Sequence, residues 1–304
     1  MTAAVRRVDP TDLADLLPSW VISLKADRKS AQTVKTYVAG VTRFLGWCAE
    51  HDTVPALDRA TVSAFIADLL DEGAEATTAR IRMTALKAFS RWLAAEGELP
   101  VDELVTAKGP RLDIKVVTPF TADQLHALIA ACRGTELRDR RDEAIIRVMS
   151  ETGARAGEVV AMARTDLDLT AGTVTIQRGK GGKGRTVPIG PQTARAIDRY
   201  LRLRRAHRLA DTPALWLGGG GQSFTYPGLY GALRARAEAA GVDGFHPHRL
   251  RHTAASRWLT AGGSEGGAMA VFGWKRREML DRYVQATAAE RAAAEARGLN
   301  LGDL

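Results

Sequence analysis

Apolar residues in the first hundred positions recur at three- and four-residue steps, the period of an amphipathic helix. Behind Ser30, a residue able to cap a helix, Val34, Tyr37, Val38, Val41, Phe44, Leu45 and Cys48 make one stripe. A second helix is predicted from near Asp58, turning Val62, Phe65, Ile66 and Leu69 inward and stopping at Gly73. A third carries Ile81, Ala85, Phe89, Trp92 and Leu93 and ends before Gly97. Polar faces opposite these stripes hold Lys35, Arg43, Arg80, Arg82, Lys87 and Arg91. The pattern predicts a small helical bundle over residues 1–105.

The helical period is lost from residue 101, and Gly109 with Pro110 marks a linker, placed at 106–118. Thr121 and Gln124 then read as a capping box, opening a helix that turns Leu125 and Leu128 inward. A helix over about 139–151 breaks at Thr152-Gly153, and a short one follows from Arg155. The run TVTIQRGKGGKGRTVPI, two β-branched stretches around glycines, predicts a hairpin. Helices return from Pro191, interrupted by loops at 211–227, 241–247 and 261–267, and the Ala-rich stretch 286–297 reads as a short helix. The expected fold is mostly α with a small β-hairpin or sheet: a helical bundle followed by an α+β domain over 119–304.

Composition narrows the class. Of 304 residues, 45% are hydrophobic and 26% charged, the balance of a globular domain rather than a disordered chain. No apolar run approaches the roughly 20 residues of a membrane helix. The opening MTAAVRRVDPTD meets Asp9, Pro10 and Asp12 where a secretory signal needs an apolar stretch, so no signal is expected. Cys48 and Cys132 can supply neither a disulfide framework nor a four-cysteine zinc site, and both suit a reducing cytoplasm. The net charge of +8 is unevenly spread, with 13 basic and 15 acidic residues up to position 110 and 30 and 20 after it. A basic second domain fits a polyanion, nucleic acid first and an anionic membrane surface second; solubility alone is the competing reading.

Several motifs carry chemistry. The turn GKGGKGRT nearly spells a phosphate-binding loop, but Arg185 stands at the lysine position and a strand follows where the nucleotide-holding helix should be. ATP binding is therefore not expected. Lys180, Lys183 and Arg185, set among four glycines, can still approach a sugar-phosphate backbone. His248 and His252 are four apart, yet no glutamate or third ligand completes a metal set. His248 and Arg251, three apart, could address one phosphate oxygen from a shared helix face. Arg155 and Glu158 in TGARAGE are an ordinary helix pair or a guanidinium steadied by a carboxylate. Taken alone, Trp274 and Tyr283 would be core and half-buried aromatics.

In combination these residues resemble the tyrosine recombinase family, the phage-integrase-like site-specific recombinases. Arg155 in TGARAGE matches the family's first catalytic arginine, and Lys180, 25 residues later, matches the lysine on its hairpin. His248 and Arg251 in HPHRLRH resemble its H-x-x-R box, and Trp274 lies nine residues before Tyr283, the family's spacing between last phosphate ligand and nucleophile. Most members carry histidine where Trp274 stands. An indole N–H can donate to a phosphate oxygen but cannot accept a proton.

The resemblance implies a SAM-like core-binding domain over 1–105 and a recombinase catalytic domain over 119–304. It further implies that Tyr283 attacks phosphorus to give a 3′-phosphotyrosine within Arg155, Arg251, His248 and Trp274. Lys180 would be the general acid and Glu158 a supporting residue. No cofactor or metal is needed, because religation reuses the phosphodiester's energy and the protein's cations supply the charge. Expected phosphate contacts are Lys35, Arg43, Arg80, Lys87, Arg178, Lys183, Arg185 and Lys275. The implied partners are a double-stranded recombination site and sister protomers, two per site and four in a synapse, with an accessory DNA-bending or directionality factor. Two alternatives stand: an idle DNA-binding protein of the same fold, and a type IB topoisomerase-like strand relaxer.

Overall fold

The Ser30 hydroxyl accepts a hydrogen bond from the Thr33 amide at 3.0 Å and starts α2 (Ala31–Glu50). The computed structural model describes residues 13–112, 117–178, 182–219 and 223–299. The chain splits into two compact units, Met1–Lys115 and Val116–Leu304.

In the first unit α1 (Leu17–Ala26) and α2 are joined by α3 (Arg59–Asp71), capped by the Asp58 carboxylate, and α4 (Ala76–Glu96). Their core gathers Trp20, Val41, Phe44, Trp47, Phe65, Leu86, Phe89 and Leu93. Trp47, outside the predicted stripe, is buried and donates its indole N–H to Asp68 at 2.8 Å. Ile81, predicted inward, is 47% exposed; Met83 and Leu86 take the core face of α4 instead. The non-helical stretch after residue 100 is tied to this unit as far as Ala107. Leu104 is fully buried, and the Lys87 ammonium donates to the carbonyls of Val105 and Ala107 at 3.1 and 2.8 Å.

The second unit opens with α5 (Ala122–Ala130) behind the Thr121–Gln124 capping box. Then come α6 (Leu137–Thr152), α7 (Ala156–Val160) and a three-stranded antiparallel sheet. Strand β1 (Leu167–Asp168) pairs with β2 (Thr173–Arg178), which pairs with β3 (Gly182–Pro188). The predicted hairpin is β2–β3, and β1 is too short to leave a periodic trace. Helices α8 (Pro191–Arg204), α9 (Tyr226–Ala239), α10 (Pro247–Thr260), α11 (Glu265–Phe272) and α12 (Arg277–Leu299) complete the unit. The Ala-rich stretch continues α12 instead of forming a helix of its own.

Helix α6 packs on α8 and α10 at the centre of the unit. In its charged opening, LRDRRDE, the side chains of Asp139, Arg141, Asp142 and Glu143 are buried. They are tolerated because they pair. Arg236 on α9 donates to Asp139 at 2.6 Å, to Asp142 at 2.9 Å and to the Ala131 carbonyl at 2.9 Å. Among the described residues no helix is long and apolar enough to cross a membrane.

Candidate active site

The site begins where α6 ends. Gly153 takes a left-handed conformation at φ 61°, and a β-carbon there would lie 2.4 Å from the Phe272 ring, so only glycine fits the turn. The reversed chain presents Arg155 as the residue that starts α7. Both its backbone amide and its guanidinium donate to Glu158, at 2.8 and 3.0 Å, while its side chain remains 42% exposed. Burial alone would raise the Glu158 carboxyl. Hydrogen bonds from the Arg185 guanidinium and the Arg155 amide, with both arginine charges, instead hold it down at about 2.

Arg251 enters from α10 and is 1% exposed. Its guanidinium donates to the Gly153 carbonyl at 2.5 Å and to the Phe272 carbonyl at 2.6 Å. Burial, then the Arg155 charge, lowers its pKa to about 10, which still leaves it cationic at neutral pH. His248, one turn earlier on α10, is solvent-exposed. Partial desolvation, then the charges of Arg251, His246 and Arg155, lower its pKa and keep the imidazole neutral at pH 7.

Tyr283 lies on α12, which packs along α10, and is only 8% exposed. Its ring stacks on Trp274 at 4.9 Å and 19° and meets His252 at 5.1 Å. Tyr283 and Trp274 belong to a small cluster with Ala254, Ala255, Leu259, Ala268, Phe272 and Leu280, so the phenol is mounted on a packed wall. Burial raises the Tyr283 pKa above its ordinary value, while Arg251, Arg282 and Arg155 pull the other way. The Arg251 guanidinium also lies 5.7 Å from the Trp274 ring.

Residues from three helices, α7, α10 and α12, and from the α11–α12 loop thus converge. Arg155, Glu158, His248, Arg251, Trp274 and Tyr283 form one site, whereas Lys180 lies outside the described residues, as do the side chains of Arg178 and Lys183. Lys35, Arg80 and Lys275 are exposed. Arg80 and Lys87, with Lys108 and Arg111, line a cleft of about 400 Å³ in the first unit. Arg43 bonds Glu50 at 2.8 Å and Glu72 at 3.3 Å, partners that compete with any phosphate.

Arg185 departs from its expected role. In place of an exposed phosphate contact at the hairpin tip, its side chain is 10% exposed and turned inward onto Glu158. The pleat explains the difference. Residues two apart share a face of a strand, and Arg185 shares one with the buried Val187 and Ile189. That alternation was readable in the sequence. The sequence offers His252 only as a metal ligand, yet its four-residue spacing from His248 is the signal of a shared helix face, which here lies beside Tyr283. Burial, then His248, lowers its pKa to about 4, so it too is neutral at pH 7. Among the described residues no group of His, Cys, Asp and Glu could hold a metal ion.

Comparison with known proteins adds to this geometry. The profile of the "Phage integrase family" matches residues 119–290, and that of the "Phage integrase, N-terminal SAM-like domain" matches residues 17–97. Tyrosine recombinase XerD of Mycobacterium leprae is 31% identical over 72% of this chain and 70% of its own length. Tyrosine recombinase XerC of Chlamydia caviae is 30% identical over 66% of this chain and 65% of its own length. A crystal structure of the XerH site-specific recombinase bound to a palindromic DNA substrate superposes with a TM-score of 0.74. That match is 16% identical and covers 94% of this chain and 84% of the other.

Proposed function

The chain belongs to the phage integrase family of tyrosine recombinases, enzymes of site-specific DNA breakage and rejoining, and we propose that it cleaves one strand of its site with Tyr283. The observation carrying this assignment is the position of that phenol. It is held between Trp274 and His252 on a helix packed against the one that bears the buried Arg251.

In the reaction the Tyr283 oxygen forms a bond to phosphorus while the bond to the 5′-oxygen breaks, leaving a 3′-phosphotyrosine and a free 5′-hydroxyl. Arg155 and Arg251 stabilise charge developing on the non-bridging oxygens. Arg251 is aimed before substrate arrives, because two carbonyls fix its plane, and the partly exposed Arg155 faces incoming DNA. Raised by burial, the phenol stays protonated at rest and gives up its proton during attack. Neutral imidazoles on α10 can accept it, and His248 takes that role. The Trp274 indole donates to a phosphate oxygen and supports the tyrosine ring. Glu158 stays ionised and orients Arg155. Lys180 protonates the departing 5′-oxygen. Rejoining reverses these steps with a different 5′-hydroxyl, so neither ATP nor metal enters the balance.

The partner is double-stranded DNA. Residues 1–105 serve as the core-binding domain, with Lys35, Arg80 and Lys87 as phosphate contacts, and residues 119–304 as the catalytic domain. Two protomers share a site and four make the synapse. The assignment is tested by incubating the protein with a nicked suicide substrate, digesting the adduct and sequencing its peptide. A 3′-phosphate on Tyr283 is expected; an adduct on any other residue overturns it. For the acid, Lys180→Ala should lose cleavage on an ordinary substrate and regain it when the 5′-leaving atom is sulfur, which departs without a proton. Failure of the sulfur substrate to restore cleavage would remove Lys180 from the role.

A further inference from the structure

Arg185 sits where three elements of the site meet. It faces Ile176 across the β2–β3 ladder, beyond which the register shifts, and the pleat sends its side chain inward. Its two terminal nitrogens donate to the two Glu158 oxygens at 3.1 and 2.8 Å, and its Nε donates to the Val271 carbonyl at 2.8 Å. Glu158 also accepts from the Arg155 amide and guanidinium. Four hydrogen bonds therefore fill the roughly four acceptor sites a carboxylate offers. Val271 lies three residues before Trp274, and between them a β-carbon on Gly273 would come within 3.1 Å of the Arg185 fork.

We propose that Arg185 is a positioning residue for strand cleavage: by occupying half of the Glu158 carboxylate and anchoring the Val271 carbonyl, it fixes how far the Arg155 guanidinium can be drawn toward Glu158. This rests on the reading of Arg155 as a phosphate ligand. Without Arg185, Glu158 would be a poorly compensated carboxylate with one guanidinium left to neutralise it. Arg155 would fold onto it, away from the phosphate, and the Val271 carbonyl would lose its donor. The arrangement needs arginine. A lysine ammonium is a point charge and cannot span two carboxylate oxygens and a carbonyl with a planar fork.

The test is a double-variant cycle in the full-length protein, reading adduct formation on a nicked suicide substrate. Arg185→Met should slow adduct formation by about 100-fold, the scale of a misplacement of roughly 1 Å. DNA affinity should hold, and its salt dependence should keep the parent's slope, since no phosphate contact is lost. In an Arg155→Ala background the same change should cost less than about tenfold, because the residue it positions is gone. Losses that multiply in the double variant would overturn the proposal. So would a salt slope reduced by roughly 1, the mark of a direct phosphate contact. Should Arg185→Met fail to fold, Arg185→Lys carries the same cycle with one bond retained. If Tyr283→Phe still forms an adduct, the fault lies in the site assignment; if Tyr283→Phe is dead and the Arg185 variants cleave like the parent, only the role of Arg185 is lost.

Discussion

Tyr283→Phe should bind DNA like the parent and form no covalent adduct. The change removes one oxygen from a side chain that is 8% exposed and keeps the ring, so stacking on Trp274 and contact with His252 persist. Stability should move little, since no described group hydrogen-bonds to the phenol oxygen in a way that packing depends on. On the proposed assignment, catalysis loses its nucleophile outright. The measurement pairs a mobility-shift titration with gel separation of adduct on the suicide substrate. An adduct in undiminished yield would sink the assignment.

Arg251→Ala should be the most damaging single substitution in the second unit. The guanidinium is 1% exposed and bridges the Gly153 and Phe272 carbonyls, joining the α6–α7 turn to the end of α11. Its removal strips both carbonyls of a donor at about 1–3 kcal/mol each and leaves a cavity beneath Trp274. On the proposed reading it also deletes a charge that serves the phosphate, a loss of about 3–4 kcal/mol in the cleavage barrier on the scale of a preorganised donor. Thermal melts and single-turnover cleavage, measured on the same preparations, separate the two effects. Arg251→Lys keeps the charge but not the fork, and should fold better than alanine while still cleaving at least tenfold slower than the parent. Parent-like cleavage by the lysine variant would show that the two-carbonyl geometry is not what aims the charge.

Much of the fold is local and was therefore legible. Ser30, Asp58 and the Thr121–Gln124 box cap helices where short-range hydrogen bonding requires, and Val62, Phe65, Ile66 and Leu69 are all buried as their period predicts. Ile81 misleads because its spacing fits either edge of the stripe on α4; packing chose Met83 and Leu86. The burial of the charged opening of α6 has no local signal at all. Whether Asp139 and Asp142 face water or Arg236 depends on a helix nearly a hundred residues away, which no window of sequence contains.

The site divides along the same line. Residue type and spacing offered Arg155 with Glu158 and His248 with Arg251 as pairs on one helix face, while Trp274 and Tyr283 entered as candidates only through resemblance to a known family. Only the tertiary structure decided that Tyr283 rests between Trp274 and His252, that Arg251 is pinned by two carbonyls, and that the inward-facing Arg185 meets Glu158. Those outcomes depend on which face of β3, α10 and α12 is buried against which neighbour. Burial against a distant partner is a property of the folded core, and local patterns carry it only when, as for Arg185 ahead of the buried Val187 and Ile189, alternate residues along the chain already mark the inward face.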